Sequence, residues 1–250
     1  MADNVLMSEM SWTEVELALK ERPIALLPVG NTEAHGPHLP LTTDTVIAVE
    51  TARRTAAKLK LRGLHALVAP PVTFSVSQLA ADFPGTLGLA PETAVALVRD
   101  VCLALGKKFR AVALVSVNQE AANLDALKKA AEEAKKAGGG ACFTELSKKR
   151  WSGRLGEAFN ASDHAGSFET SLMMACARAQ VREKERISLP PMDTLAVALK
   201  AGKTSFAEAG GEDAYFGDPG AATAEDGEAF FETLADILTL SIMEYIGSKA

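Results

Sequence analysis

Continuous apolar runs, each too short for a buried helix and each closed by glycine or a polar residue, set what this chain can fold into. PIALLPV (23–29), HALVAPPVTF (65–74) and RAVALVSV (110–117) carry almost no polar residues. A strand with one wet face alternates apolar and polar side chains, so runs like these read as strands covered on both faces. ACFTEL (141–146) reads as a shorter one. Helical patterns lie between them. Ser11 and Glu14 have capping-box spacing, which predicts a short helix to about Lys20. From Thr45, the stripe Val46, Ala48, Val49, Ala52, Ala56, Ala57 predicts a helix closed by Gly63. Pro91 opens another, with Val95, Val98, Cys102 and Leu105 on one face and Gly106 as its stop. Further helices are predicted over 122–140, 166–179 and 225–246. In the last, Phe230, Leu234, Ile237, Ser241 and Tyr245 are spaced for burial. Strands alternating with helices imply an α/β fold: a three-layer α/β/α sandwich with a mostly parallel central sheet. No linker or internal repeat breaks the chain, so residues 1–250 are expected to form one domain. The Gly-, Ala- and Asp-rich stretch 201–224 reads as a long functional or interface loop.

Composition narrows the function classes. A net charge of −6 and a pI near 5.4 argue against a nucleic-acid partner, which calls for a basic face. No charge-free apolar stretch reaches the length of a bilayer span, so no membrane partner is expected. The opening segment carries Asp3 and Glu9 and lacks the basic-then-apolar order of a signal peptide. Cys102, Cys142 and Cys176 are few, odd in number and set among apolar residues, which fits a reducing cytoplasm. The alternating charges of KKAAEEAKK are a solvated helix face.

The chemistry-bearing residues sit where parallel sheets place their ligands, beyond the carboxyl ends of strands. GNTEAHGPHLPLTTD (30–44) follows the first strand with Glu33, His35, His38 and Asp44. Asn118, Gln119 and Glu120 follow the third, and SDHAGSFETS (162–171) brings Asp163, His164 and Glu169 to a helix start. Carboxylates and a histidine converging on Gly-flanked loops suit a hydrolytic site with one or two divalent metals, since a carboxylate can bridge two ions. Asp44 also stands where a helix N-cap would be.

These stretches resemble the creatininase (creatinine amidohydrolase) family. The residues Glu33-x-His35-Gly-x-His38-Leu-Pro followed by Asp44 look like its signature, and FPGT (83–86), HAGSFETS (164–171) and GDP (217–219) are similar to its other motifs, in the family's order. The resemblance implies a compact α/β/α protein, usually a homo-oligomer and often a hexamer. It also implies two divalent metal ions, Mn or Zn with Mg as a further possibility. The implied reaction is hydrolysis of a C–N bond in a cyclic or linear amide, a small creatinine-like molecule, a formamide or a peptide, by attack of metal-bound hydroxide. Glu33, His35 and Asp44 match metal ligands, Asp44 the bridging one. His164 matches the histidine that shuttles a proton, Glu169 an acidic residue near the metals, and His38 a histidine supporting the loop.

The departure lies at the third stretch, where the family usually has Asn-Gly-His. Here Asn118-Gln119-Glu120-Ala121-Ala122-Asn123 puts Glu120 in the histidine's place, or, with a small deletion, in that of an acidic residue two positions on. Ligation by Glu33, Asp44, Glu120 and Glu169 with His35 would be rich in oxygen, which favours Mn²⁺ or Mg²⁺ over Zn²⁺. Two functions are therefore carried forward: a metal-dependent amidohydrolase, and a catalytically reduced relative that binds a small molecule or acts as a scaffold. Trp151 and Phe168 are placed near the site, as pocket walls or as packing, and His65 on the surface.

Overall fold

A computed structural model describes residues 4–160 and 163–248. Asp3 of the opening segment and Ser162 of the third motif lie outside the described residues. Helix α1 (Trp12–Leu19) starts on the Ser11–Glu14 capping box. It is followed by β1 (Ile24–Pro28), α2 (Thr43–Leu61), β2 (Ala66–Val68), α3 (Pro91–Gly106), β3 (Ala111–Val115), α4 (Ala121–Lys136) and β4 (Ala141–Phe143). Short helices α5 (Lys149–Leu155) and α6 (Glu157–Asn160) lead to α7 (Ser167–Cys176). After α8 (Glu183–Ser188) and α9 (Leu195–Lys200), the long α10 (Ala224–Gly247) closes the order.

The sheet is parallel throughout, in the order β2-β1-β3-β4. In register, Ile24 of β1 lies between Ala66 and Ala111. Its two faces explain the unbroken apolar runs. Ala25, Leu27, Val112 and Leu114 point to one side, against Val95, Val98 and Cys102 of α3 and Leu127 and Ala130 of α4. Ile24, Leu26, Ala113 and Val115 point to the other, against Ala52 and Leu59 of α2 and Leu238 and Ile242 of α10. Each strand residue is buried whichever way it faces, so a polar alternate position would cost a desolvation penalty on either side. The three layers expected from the sequence are present.

Two details differ from the sequence reading. The run 65–74 yields only a three-residue strand, because Pro70 and Pro71 carry no backbone N–H to continue the ladder. On α10 the buried stripe is turned by about one residue at its ends: Phe231, Ile242 and Ile246 are buried, while Phe230, Ser241 and Tyr245 are only half-buried. The helix packs against both α2 and α7, so its apolar face is wider than a single stripe. The stretch 201–224 folds back on the molecule. Phe206, Ala209, Ala214 and Phe216 of this segment pack with Leu195 and Ala80.

Candidate metal centre

The loop after β1 is shaped to bring its side chains inward. A Cβ on Gly30 would come within 2.6 Å of Thr45 Cα, so only glycine allows the strand end to meet the first turn of α2. Gly36 has φ +65° and donates its N–H to Ala214 O. The FPGT segment braces the loop from outside: Thr86 Oγ1 accepts the Ala34 N–H at 3.0 Å, and Leu87 N–H donates to Thr32 O. His38 is buried 3.0 Å from Thr170 Oγ1 of α7, tying the loop to the helix that carries Glu169. An antiparallel bridge between His164 and Phe216 fixes the third segment, and Asp163 Oδ2 accepts the Phe168 N–H at the start of α7.

These elements bring five of the residues named from sequence together: Glu33, His35, Asp44, His164 and Glu169. All are buried. The ligand atoms of Glu33, His35 and His164 lie within 4.8 Å of one another, as do those of His35, Asp44 and Glu169. Asp44 is not the N-cap of α2, a position held by Thr42. Its side chain turns inward, with Oδ1 3.4 Å from His35 Nε2.

His35 is the centre of the arrangement. Its Nδ1 lies 3.0 Å from Glu33 O. A carbonyl only accepts, so Nδ1 carries a hydrogen, and in the neutral ring the lone pair is on Nε2, the tautomer of a metal ligand. Nε2 is buried and makes no hydrogen bond within the described residues. Around it stand Asp44 Oδ1 at 3.4 Å, Glu169 Oε2 at 3.8 Å and Glu33 Oε1 at 4.0 Å. Ligand atoms about 2.1 Å from a tetrahedral or octahedral ion are roughly 3.0–3.4 Å apart. Asp44 stands at that separation and Glu169 and Glu33 somewhat beyond it, within reach of a carboxylate rotation, so the donor set present fits a divalent cation.

Without a cation, protons must balance the buried charge. Burial works against a charged His35, but Asp44, Glu169 and Glu33 outweigh it and hold the imidazole up at about 10. Burial and the Asp44 charge push Glu33 up to about 8, and burial raises Glu169. For Asp44 the His35 charge overcomes burial and keeps the carboxyl low. His164, buried and next to His35, is pulled down to about 3. Its ring stacks on His35 and Phe206, and Nε2 donates to Ala34 O at 2.8 Å, which leaves Nδ1 as the basic nitrogen.

Glu120 is placed apart from the cluster. Its Oε1 accepts the Gln78 N–H at 2.9 Å, and burial pushes the carboxyl up to about 7. Trp151 belongs to the apolar cluster of Leu39, Ile47 and Leu155, with its ring under the Arg150 guanidinium, and does not line the cavity. Phe168 does line it. His65 is exposed near Glu21.

Residues that sequence reasoning had given no role complete the centre. Asn118 Nδ2 donates to Glu33 Oε1 at 2.9 Å and Asp44 Oδ2 at 3.0 Å. Asn31 Nδ2 and the Ser77 hydroxyl donate to Glu33 Oε2. Both asparagines lie three residues beyond the end of a strand, and that position was the available signal; nothing local marks Ser77 or Phe206. Beside the cluster opens a cavity of about 640 Å³, walled by Phe159, Phe168, Phe206, Leu195 and Leu199 and reaching His164 and Glu169.

Residues 8–242 match the family model described as creatinine amidohydrolase. The chain is 32% identical to the mycofactocin precursor peptide peptidase of Mycobacterium ulcerans (strain Agy99), over 86% of this chain and 82% of that protein. Among solved structures it is similar to creatinine amidohydrolase (creatininase), with a TM-score of 0.73 and 21% identity over 98% of this chain and 99% of the other. It is also similar to the structure described as "Creatininase Mn", at 0.72 and 21% over the same shares. With the signature loop of β1, the parallel sheet and the match along nearly the whole chain in agreement, the protein belongs to the creatininase family.

Proposed function

We propose that this chain is a cation-dependent amide hydrolase acting on an extended amide, a peptide or peptide-like molecule with an apolar group. The observation that carries the reading is the buried, unpartnered Nε2 of His35, its lone pair turned toward three carboxylates. A lone pair facing anions in a dry interior is unfavourable unless a cation or a proton lies between them. His35, Asp44 and Glu169 would hold the cation, and their oxygen-rich set favours Mn²⁺ or Mg²⁺ over Zn²⁺. When bound, such an ion acts as a Lewis acid on a carbonyl and lowers the pKa of a water.

The chain's own residues supply the rest. His164 has Nε2 committed to Ala34 O, so the lone pair of Nδ1 can take a proton and return it to the departing nitrogen. Phe206 covers its ring and, with Phe168, keeps bulk water from the reacting groups. The cavity, at about 640 Å³, is in the range of roughly 300–1,000 Å³ that encloses drug-sized ligands. A small cyclic amide such as creatinine would leave its apolar walls uncovered. The mycobacterial relative's action on a peptide supports the larger substrate. A homo-oligomer in the cytoplasm, built from one domain per chain, belongs to the same reading.

The test is a panel of peptides and small amides incubated with the Mn²⁺-loaded protein. Peptide cleavage is expected, with His164→Asn lowering turnover by about 10²–10⁴-fold while bound manganese is unchanged. Hydrolysis of creatinine alone would overturn the substrate assignment. No turnover on any amide would leave a binding protein.

A further inference from the structure

The carboxylates that face His35 are not equally open. Glu33 is engaged by neutral donors on both oxygens: Asn118 on Oε1, Asn31 and Ser77 on Oε2. Asp44 Oδ2 is held by the same Asn118 amide at 3.0 Å. By contrast, among the described residues Asp44 Oδ1 faces His35 Nε2 without a hydrogen-bond donor of the Asn118 kind, and Glu169 Oε2 accepts the backbone N–H of Ala165.

The orientation of the Asn118 amide is fixed by something that cannot rotate. Its Oδ1 accepts the Glu120 backbone N–H at 3.0 Å and Asn123 Nδ2 at 3.2 Å. A backbone N–H only donates, so flipping the amide would set its NH₂ against that hydrogen. The NH₂ is therefore pinned between Glu33 Oε1 and Asp44 Oδ2, the two oxygens through which a second cation would bridge these carboxylates. Glu120, which stands where the family's histidine is expected, does not compete for the place, because its carboxylate is turned to Gln78. Nor do the two convergent triads make two sites. Both need His35, whose Nδ1–H is committed to Glu33 O, so it has one lone pair to give.

We propose that each chain binds one divalent cation, at His35 Nε2, Asp44 Oδ1 and Glu169 Oε2, and that the Asn118 amide closes the second position that family membership implies. The inference rests on the cation reading of the site given above.

The experiment counts ions on the full chain purified without chelator and saturated with Mn²⁺, by native mass spectrometry and by electron paramagnetic resonance. One manganese per chain and the six-line spectrum of an isolated Mn²⁺ are expected. Asn118→Asp, which replaces the closing NH₂ by an oxygen of the same shape, is expected to bind a second ion and to show a coupled spectrum, as ions roughly 3.5–4 Å apart do. Glu120→Gln is expected to keep one. Two ions in the unaltered chain overturn the inference and leave the cation reading standing. No ion overturns both. A folded Asn118→Asp protein that still takes one ion overturns the role given to Asn118.

Discussion

At the scale of the residue, the decisive property is the competition between a proton and a cation for His35. The imidazole is held up at about 10 by the acidic groups around it and Glu33 is pushed up to about 8 by burial, so at pH 7 both carry protons in the bare protein. A cation requires the His35 lone pair. Binding at pH 7 is thus expected to release about one proton or more, and affinity should rise from pH 6 toward pH 9. Calorimetry in two buffers of different protonation enthalpy measures this directly; uptake with no proton released would remove His35 from the ligand set. Stability of the cation-free protein should run the other way. Both groups bind protons more tightly folded than unfolded, so that contribution is full below pH 4.5 and is lost as pH rises through 10. Denaturant titrations across that range with chelator present would show the decline.

At the scale of the element, the site depends on how closely the end of β1 approaches the start of α2. Gly30 is the contact point, and Asp44 lies one residue before Thr45, which an added Cβ would strike. Gly30→Ala is expected to cost about 1–3 kcal/mol by overpacking and to weaken Mn²⁺ binding together with it. Chemical denaturation and a metal titration on the same variant check the pair. Wild-type affinity in a destabilised variant would separate the strand–helix contact from the site. The α7 segment matters similarly, since it carries Glu169 and receives His38 from the loop through Thr170. Its motif was visible in the sequence because His164 and Glu169 are five residues apart on either side of a helix start. What they reach was not visible, because the partners lie more than a hundred residues earlier in the chain.

At the scale of the whole molecule, the centre is a junction of separate segments: the loop after β1, the end of β3, the start of α7 and the returning stretch that supplies Phe206 and Phe216. A cation held by His35, Asp44 and Glu169 ties two of these, the loop after β1 and the start of α7, to the first turn of α2 and should stabilise the fold as a whole. At one hundred times its dissociation constant, a ligand specific for the native state adds about 2.7 kcal/mol, which for a chain of this size means roughly 5–10 °C in Tm. Thermal melts with Mn²⁺ and with chelator should differ by that amount, and coincident melts would show that the ion does not bind across the segments. By itself the sequence determined the layered α/β fold, since strands apolar at every position can only lie between two helical layers. It also determined which acidic and histidine residues stand at strand ends, since Gly and Pro mark those ends locally. Only the tertiary structure decided that Glu120 turns to Gln78, that Trp151 packs into the apolar core and that Asn118 lies between Glu33 and Asp44. Side-chain direction is set by hydrogen-bond partners distant in the chain, and neither spacing nor composition encodes which of them a residue will meet.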